Sequence, residues 1–303
     1  MRRLAALLAA AALNACAPLK PFGEPETALP ADYPARPDAE VAALANERWW
    51  TLIDDPDLPA LVDTALRNNR DLRRAVARID EADALLRLNG AALLPQVNVE
   101  SGVARSRVTE VGAVPLPASA PVYRTDQRLA VTTSYEVDVW RRLRDTREAS
   151  RASALASREA ADAVAMTLAA TVAQTVLGLR ATDLSLELTR RTLGSREETL
   201  RLIRVRRSEG LGSELEERQA EAALESLRAQ RFQLELTRDL LQNQLGVVCG
   251  EPGRRLAPRA DLAMPEAPVP PAGLPSSLLE SRPDVRAAMA QMQAARLQTQ
   301  AVR

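Results

Sequence analysis

From Leu129 to Val139 the chain alternates without a break. Leu129, Val131, Thr133, Tyr135, Val137 and Val139 fall on one face, and Ala130, Thr132, Ser134, Glu136 and Asp138 on the other. A period of two predicts a strand, here over about 128–140 and close to the length of a tilted transmembrane β-strand. Val97, Val99, Ser101 and Val103 alternate in the same way with Asn98, Glu100, Gly102 and Ala104, which predicts a partner strand over about 97–108. Residues 109–127, with three prolines, form the expected connection. One face of the pair suits lipid, although a half-buried strand of a soluble sheet has the same pattern.

Elsewhere the period is helical. Leu61, Ala65, Leu66, Leu72, Val76, Ile79, Leu86 and Leu88 predict a helix that opens at Leu58-Pro59, breaks near Asn68-Asn69 and ends about Asn89-Gly90. Pro59 sits in the first turn, where its missing N–H leaves no bond unmade. Val164, Leu168, Val172, Val176, Leu179, Leu186, Leu193, Leu200 and Ile203 step by threes, fours and sevens along residues 141–208. A helix of that extent is roughly 100 Å long and belongs in a coiled coil or a helical tube. Gly210, Leu211, Gly212 and Ser213 turn the chain over 209–213, and Ser213 with Glu216 fits a capping box. The next helix, 213–246, runs through Leu224, Leu227, Leu234 and Leu241 to Leu245, with Gly246 as its natural stop. Residues 247–271 are proline-rich and weakly patterned. The expected fold class is mainly α with a small β part: a long coiled-coil hairpin joined to two strands.

The N-terminus carries an address. Arg2 and Arg3 precede a run of only Ala and Leu, followed by Asn14, Ala15 and Cys16. This is a secretory signal over residues 1–15, too short to span a bilayer as a helix. Leu13-Asn14-Ala15-Cys16 resembles the bacterial lipobox, which makes Cys16 the acylated first residue of the mature chain; a plain signal peptide with a chance cysteine is the alternative. Residues 16–57 read as a lipid-anchored, extended segment in which one of Trp49 and Trp50 packs on a neighbour.

Composition narrows the function. The chain of 303 residues has 40 basic and 40 acidic side chains, which excludes a strongly basic nucleic-acid binder. It has no histidine and two cysteines, which excludes a histidine-based catalytic centre, a histidine zinc site and a four-thiolate metal site. No catalytic residue, metal site or cofactor is expected beyond the covalent lipid on Cys16. Residues 122–251 contain no proline, in keeping with very long helix. Cys249 reads as a small buried hydrophobe.

A repeat is also legible. Asp71, Arg73, Ala75, Ala77 and Ala82 recur as Asp284, Arg286, Ala288, Ala290 and Ala295, and Leu58-Pro59 as Leu274-Pro275. Residues 58–273 therefore form one repeat, and residues 274–303 the start of a second, read as a C-terminally truncated form.

The lipobox, Trp49-Trp50, Asn68-Asn69-Arg70-Asp71-Leu72, Leu94-Pro95-Gln96, the Tyr135 to Trp140 run, the 210–213 turn and Arg282-Pro283-Asp284-Val285-Arg286 together resemble the outer-membrane efflux lipoproteins. These are the OprM/NodT branch of the TolC-like family. The resemblance implies a trimeric outer-membrane duct, here incomplete. Three subunits share one transmembrane β-barrel and continue as a helical tube into the periplasm. It implies passive export of small molecules or drugs within a tripartite system, with a periplasmic adaptor and an inner-membrane RND transporter as partners. It also implies a lipid-anchored location in the outer membrane. Gly210, Leu211, Gly212 and Ser213 would lie at the periplasmic tip and contact the adaptor, although any helical hairpin favours flexible residues at its turn. Glu136 and Asp138 would face the lumen, although ordinary polar alternation accounts for them equally. A periplasmic adaptor and a coiled-coil scaffold lipoprotein are the alternative readings.

Overall fold

A computed structural model describes residues 48–109, 117, 119, 121–259, 264–265 and 281–302. The signal sequence, Cys16, the Leu274-Pro275 start of the second repeat and most of the loop between the strands lie outside the described residues.

The described residues begin with a 3-10 turn, Trp49–Leu52, within the segment 16–57 expected to be extended, most of which lies outside them. The turn sets the two indoles edge to face at 6.0 Å, and Trp50 is the one that is buried. Helix α1 (Leu58–Asn68) follows. The Asp55 carboxylate accepts from the amides of Asp57 and Leu58 at 3.0 and 3.2 Å, so it caps the start of α1. Asn69 then adopts an extended conformation, and its side chain accepts from the amides of Asp71 and Leu72. That N-cap separates α1 from α2 (Arg70–Ala91), at the break expected near Asn68-Asn69.

Strands β1 (Gln96–Arg107) and β2 (Tyr123–Ser134) pair antiparallel, from Gln96 opposite Ser134 to Arg107 opposite Tyr123. The second strand lies several residues earlier than its alternation predicts. Its ladder needs a partner, and β1 begins at Gln96, so nothing in β1 remains to pair with Tyr135 to Val139. The alternation is present there, but the strand is not.

Helix α3 (Arg142–Ser208) is a single element of 67 residues, and α4 (Glu214–Val248) returns along it. Helix α5 (Pro283–Ala301) lies within the stretch expected to begin a second repeat. Helix α3 is the axis of the molecule, with α1, α2, α4 and α5 all packed on it. Ala149, Ala152, Ala154, Ala156 and Ala161 on α3 and Ala287, Ala290 and Ala294 on α5 are buried, and such small side chains let helix axes approach closely. Consecutive residues of α3 reach opposite neighbours: Arg158 bonds Asp83 of α2 at 2.9 Å, and Glu159 pairs with Arg286 of α5.

The main core lies at mid-height of α3. Leu58, Leu61, Val62 and Ala65 of α1 meet Val172, Val176 and Leu179 of α3 and Leu245 and Cys249 at the end of α4. Gly246 does not stop α4. It lies inside the helix, where a Cβ would stand 3.0 Å from the Glu251 carbonyl. The chain turns at Gly250, whose φ of +68° suits glycine and where a Cβ would come within 2.5 Å of the Asn68 carbonyl oxygen. Cys249 is fully buried as a small apolar group, and burial pushes its thiol pKa up.

Candidate functional site

The first functional region is the hairpin tip. Helix α3 ends at Ser208, and Gly210, with φ of +76°, reverses the chain. Leu211 projects at 72% exposure. Ser213 and Glu216 close the capping box: Ser213 Oγ accepts from the Glu216 amide at 3.2 Å, and the Glu216 carboxylate accepts from the Ser213 amide at 3.4 Å. Beneath the turn, arginines of α3 clasp acids of α4. Arg204 donates to Glu217 at 3.1 Å and to Glu221 at 2.7 Å, and Arg207 also pairs with Glu217. Arg207 first, then Arg204, holds the Glu217 carboxyl below its usual value against the opposing effect of burial. The tip is therefore a cross-braced loop that presents one large apolar side chain. Spacing found the turn and its cap; the bracing needs α3 and α4 side by side.

The second region is the strand ribbon. Pairing places Val97, Val99, Val103, Leu129, Val131 and Tyr123 on one face. Gln96, Asn98, Glu100, Thr132, Arg128, Asp126 and Arg124 lie on the other. Every ribbon residue except the half-buried Ala130 is exposed in the isolated chain. The ribbon's apolar face thus has no cover from the described residues.

Glu136 and Asp138 lie beyond the end of β2, which corrects their expected place on the polar face of a strand. The acids on that face are Glu100 and Asp126. Glu136 is exposed and forms a two-point pair with Arg142, at 3.1 and 2.7 Å. Asp138 is buried, and its carboxylate accepts from the amides of Leu143 and Arg144 at 3.1 and 3.0 Å. Burial pushes its carboxyl up, but those two amides and the nearby guanidinium groups outweigh it and hold the carboxyl below its usual range. Asp138 therefore caps the long helix, with its negative charge against the positive end of the helix dipole. Arg141 completes the junction in a left-handed conformation, φ 64°.

A third region escaped the sequence pattern. Arg180, in the middle of α3, donates to Asp55 at 2.9 Å, to Asp57 at 2.6 Å and to the Ala257 carbonyl at 2.8 Å. The Arg180 and Asp55 side chains are at most 2% exposed. Desolvation works against the Asp55 carboxylate, yet the Arg180 bond and the amide bonds hold its pKa below the ordinary value. Alongside, the buried Gln242 side chain grips the Leu256 backbone at both N–H (2.8 Å) and C=O (2.7 Å). Arg238 joins Asp183 of α3 to the same carbonyl. This knot ties the entry to α1, the middle of α3 and the segment after α4 together. Among the described residues no cluster of metal-binding side chains occurs.

The described residues thus combine a two-stranded ribbon whose apolar face is uncovered with a long helical hairpin. The chain belongs to the family of outer membrane efflux proteins, whose model matches residues 61–251. It is 32% identical over 291 residues to the toluene efflux pump outer membrane protein TtgF of Pseudomonas putida, covering 91% of this chain and 59% of that protein. It is 32% identical over 313 residues to the pyoverdine export outer membrane protein OpmQ of Pseudomonas aeruginosa, covering all of this chain and 65% of that protein. Its fold is similar to the open state of the Neisseria gonorrhoeae MtrE outer membrane channel, with a TM-score of 0.76 at 25% identity, over 94% of this chain and 63% of that one. The chain thus spans about three fifths of the length of the curated relatives it matches. Its fold is that of TolC-like outer membrane channels.

Proposed function

We propose that this chain forms wall segments of a passive outer-membrane duct in a tripartite, RND-type efflux system. In this reading β1 and β2 are barrel wall, and α3 and α4 are staves of the periplasmic tube. The uncovered apolar ribbon face, joined through residues 135–141 to a 67-residue helix, carries the reading. Two strands do not close a barrel, and an open sheet edge in lipid leaves backbone groups unpaired at several kcal/mol each. The duct is therefore completed by further strands, with three subunits around one axis. The tip at Gly210, Leu211, Gly212 and Ser213 meets a periplasmic adaptor, which links the duct to the inner-membrane transporter. Cys16 carries the lipid that fixes the chain to the outer membrane. The duct conducts and does no covalent chemistry, so the protein is not an enzyme. Small organic compounds of the kind named for TtgF and OpmQ are the substrate class.

Deleting the gene from its host is expected to raise steady-state accumulation of a dye such as ethidium several-fold, with restoration by the gene in trans. The tagged protein should sediment with the outer membrane and incorporate labelled palmitate unless Cys16→Ser is introduced. Unchanged accumulation together with a soluble periplasmic protein would overturn the proposal.

A further inference from the structure

The ribbon's apolar face ends in charge, and the end is the one away from the helices. Helix α2 leads into Gln96 and β2 leads out toward α3 from Ser134, so both helical connections leave from that pair. Arg107 and Tyr123 form the opposite end. Along the apolar face, starting from the helices, the residues are Val97 with Thr133, Val99 with Val131, Ser101 with Leu129 and Val103 with Gln127. Arg105 with Thr125 and Arg107 with Tyr123 follow. The run from Val97 to Val103 covers about 20 Å of strand. Tilted as barrel strands are, the apolar face from Val97 to Arg105 rises about 21 Å, a little under the height of a barrel's apolar band. The arginines therefore stand where hydrocarbon gives way to headgroups.

Their geometry is prepared. The Arg105 guanidinium carbon lies 5.5 Å from the Tyr123 ring centroid and that of Arg107 lies 6.0 Å from it, so two cations share one aromatic ring on the lipid side. Across the ribbon, Arg124 and Arg128 add positive charge and Asp126 is the one acid, so the distal half of the two strands has four arginines to one carboxylate. Arginine's planar fork of donors matches phosphate oxygens. Basic clusters at the edge of a membrane span attract anionic headgroups.

We propose that Arg105 and Arg107, held by Tyr123, form a binding site for a phosphate-bearing lipid headgroup of the distal, outer leaflet. This rests on the duct reading, which sets the ribbon across the membrane with the helices on the periplasmic side. The site fixes the depth of the barrel wall, because the apolar band beneath it positions the guanidinium groups at headgroup level.

The test uses the full chain in neutral maltoside micelles doped with phosphatidic acid, or with diacylglycerol of the same acyl chains. Wild type is expected to retain phosphatidic acid over diacylglycerol. Arg105→Gln with Arg107→Gln should weaken retention about 25-fold, at about fivefold for each arginine. The paired variant Arg190→Gln with Arg196→Gln, on the exposed surface of α3, should match wild type. Inorganic phosphate at the same concentration should leave the lipid bound. Equal retention of the two lipids, a ribbon variant within twofold of wild type, or displacement by inorganic phosphate would each overturn the site. An environment-sensitive dye at Val99→Cys, in a Cys16→Ser, Cys249→Ala background, reads the underlying assumption. A dye in an apolar environment without phosphate discrimination counts against this site alone. A dye that stays in water counts against the duct reading, and the site falls with it.

Discussion

The knot around Arg180 and the ribbon of β1 and β2 solve opposite problems within one chain. At the knot the packing and charge partners lie inside the chain: Leu58, Val62, Val172, Val176 and Leu245 pack together, and Asp55, Arg180 and Gln242 are hydrogen-bonded although buried. In the ribbon, Val97, Val99, Val103, Leu129 and Val131 are all more than 60% exposed. The backbone ladder is satisfied on one edge of each strand only. The first region is closed within the chain; the second, on the proposed function, is completed by neighbours and lipid. On that proposal, folding of the subunit and assembly of the duct depend on different residues and can be separated by mutation.

The largest expected effect is at the ion pair. Arg180→Met removes the nearest guanidinium from the buried Asp55, leaving only the longer contact to Arg259 at 4.0 Å, and should lower stability by about 3–5 kcal/mol in urea unfolding followed by circular dichroism. The same pair sets a pH dependence. The Asp55 carboxyl is depressed from its ordinary value of 3.8, so its contribution is present above that value and is lost as pH falls below it toward the folded value. The wild-type urea midpoint should therefore drop on acidification through that range, and Asp55→Asn, less stable at neutral pH, should show a shallower drop.

Gly250→Ala meets both a left-handed backbone and the Asn68 carbonyl, and should destabilise by about 3 kcal/mol in the same assay. Leu245→Ala, at a fully buried site, should remove about 2–5 kcal/mol, nearer the lower end if the neighbouring side chains close the gap. At the tip, Ser213→Ala should remove about 1 kcal/mol, seen as faster amide exchange in the first turn of α4 with the knot unaffected.

The ribbon sharpens the contrast from the other side. Val99→Thr and Val131→Thr should change unfolding in water by less than about 0.5 kcal/mol, since both side chains are already solvated. They should nevertheless reduce membrane partitioning measured by vesicle flotation. A large loss of stability from either would mean that the ribbon packs on the rest of the chain and would erase the distinction.

Local patterns predict local elements here because helix period, capping side chains and proline placement act over a few residues. The 67-residue helix, the break at Asn69, the Ser213 capping box and the apolar face of the ribbon were all legible for that reason. The family resemblance was legible too, from motifs in order along the chain. What pattern could not see was pairing. The end of β2 depends on where β1 begins, so Asp138 looked like part of a strand and is a helix cap. Gly246 looked like a helix stop and is a site of close approach to Glu251. Asp55 and Arg180 are 125 residues apart, and nothing near either one marks the other.

By itself the sequence determined which segments are helix, which faces are apolar and where the hairpin turns, because those depend on neighbours within a turn or a strand pleat. Only the tertiary structure decided which charges are buried together, how long the ladder runs and which acid caps the long helix. Each of those is a free-energy balance between desolvation and a partner brought from elsewhere in the chain, and the partner exists only once α3 has gathered the other elements around it.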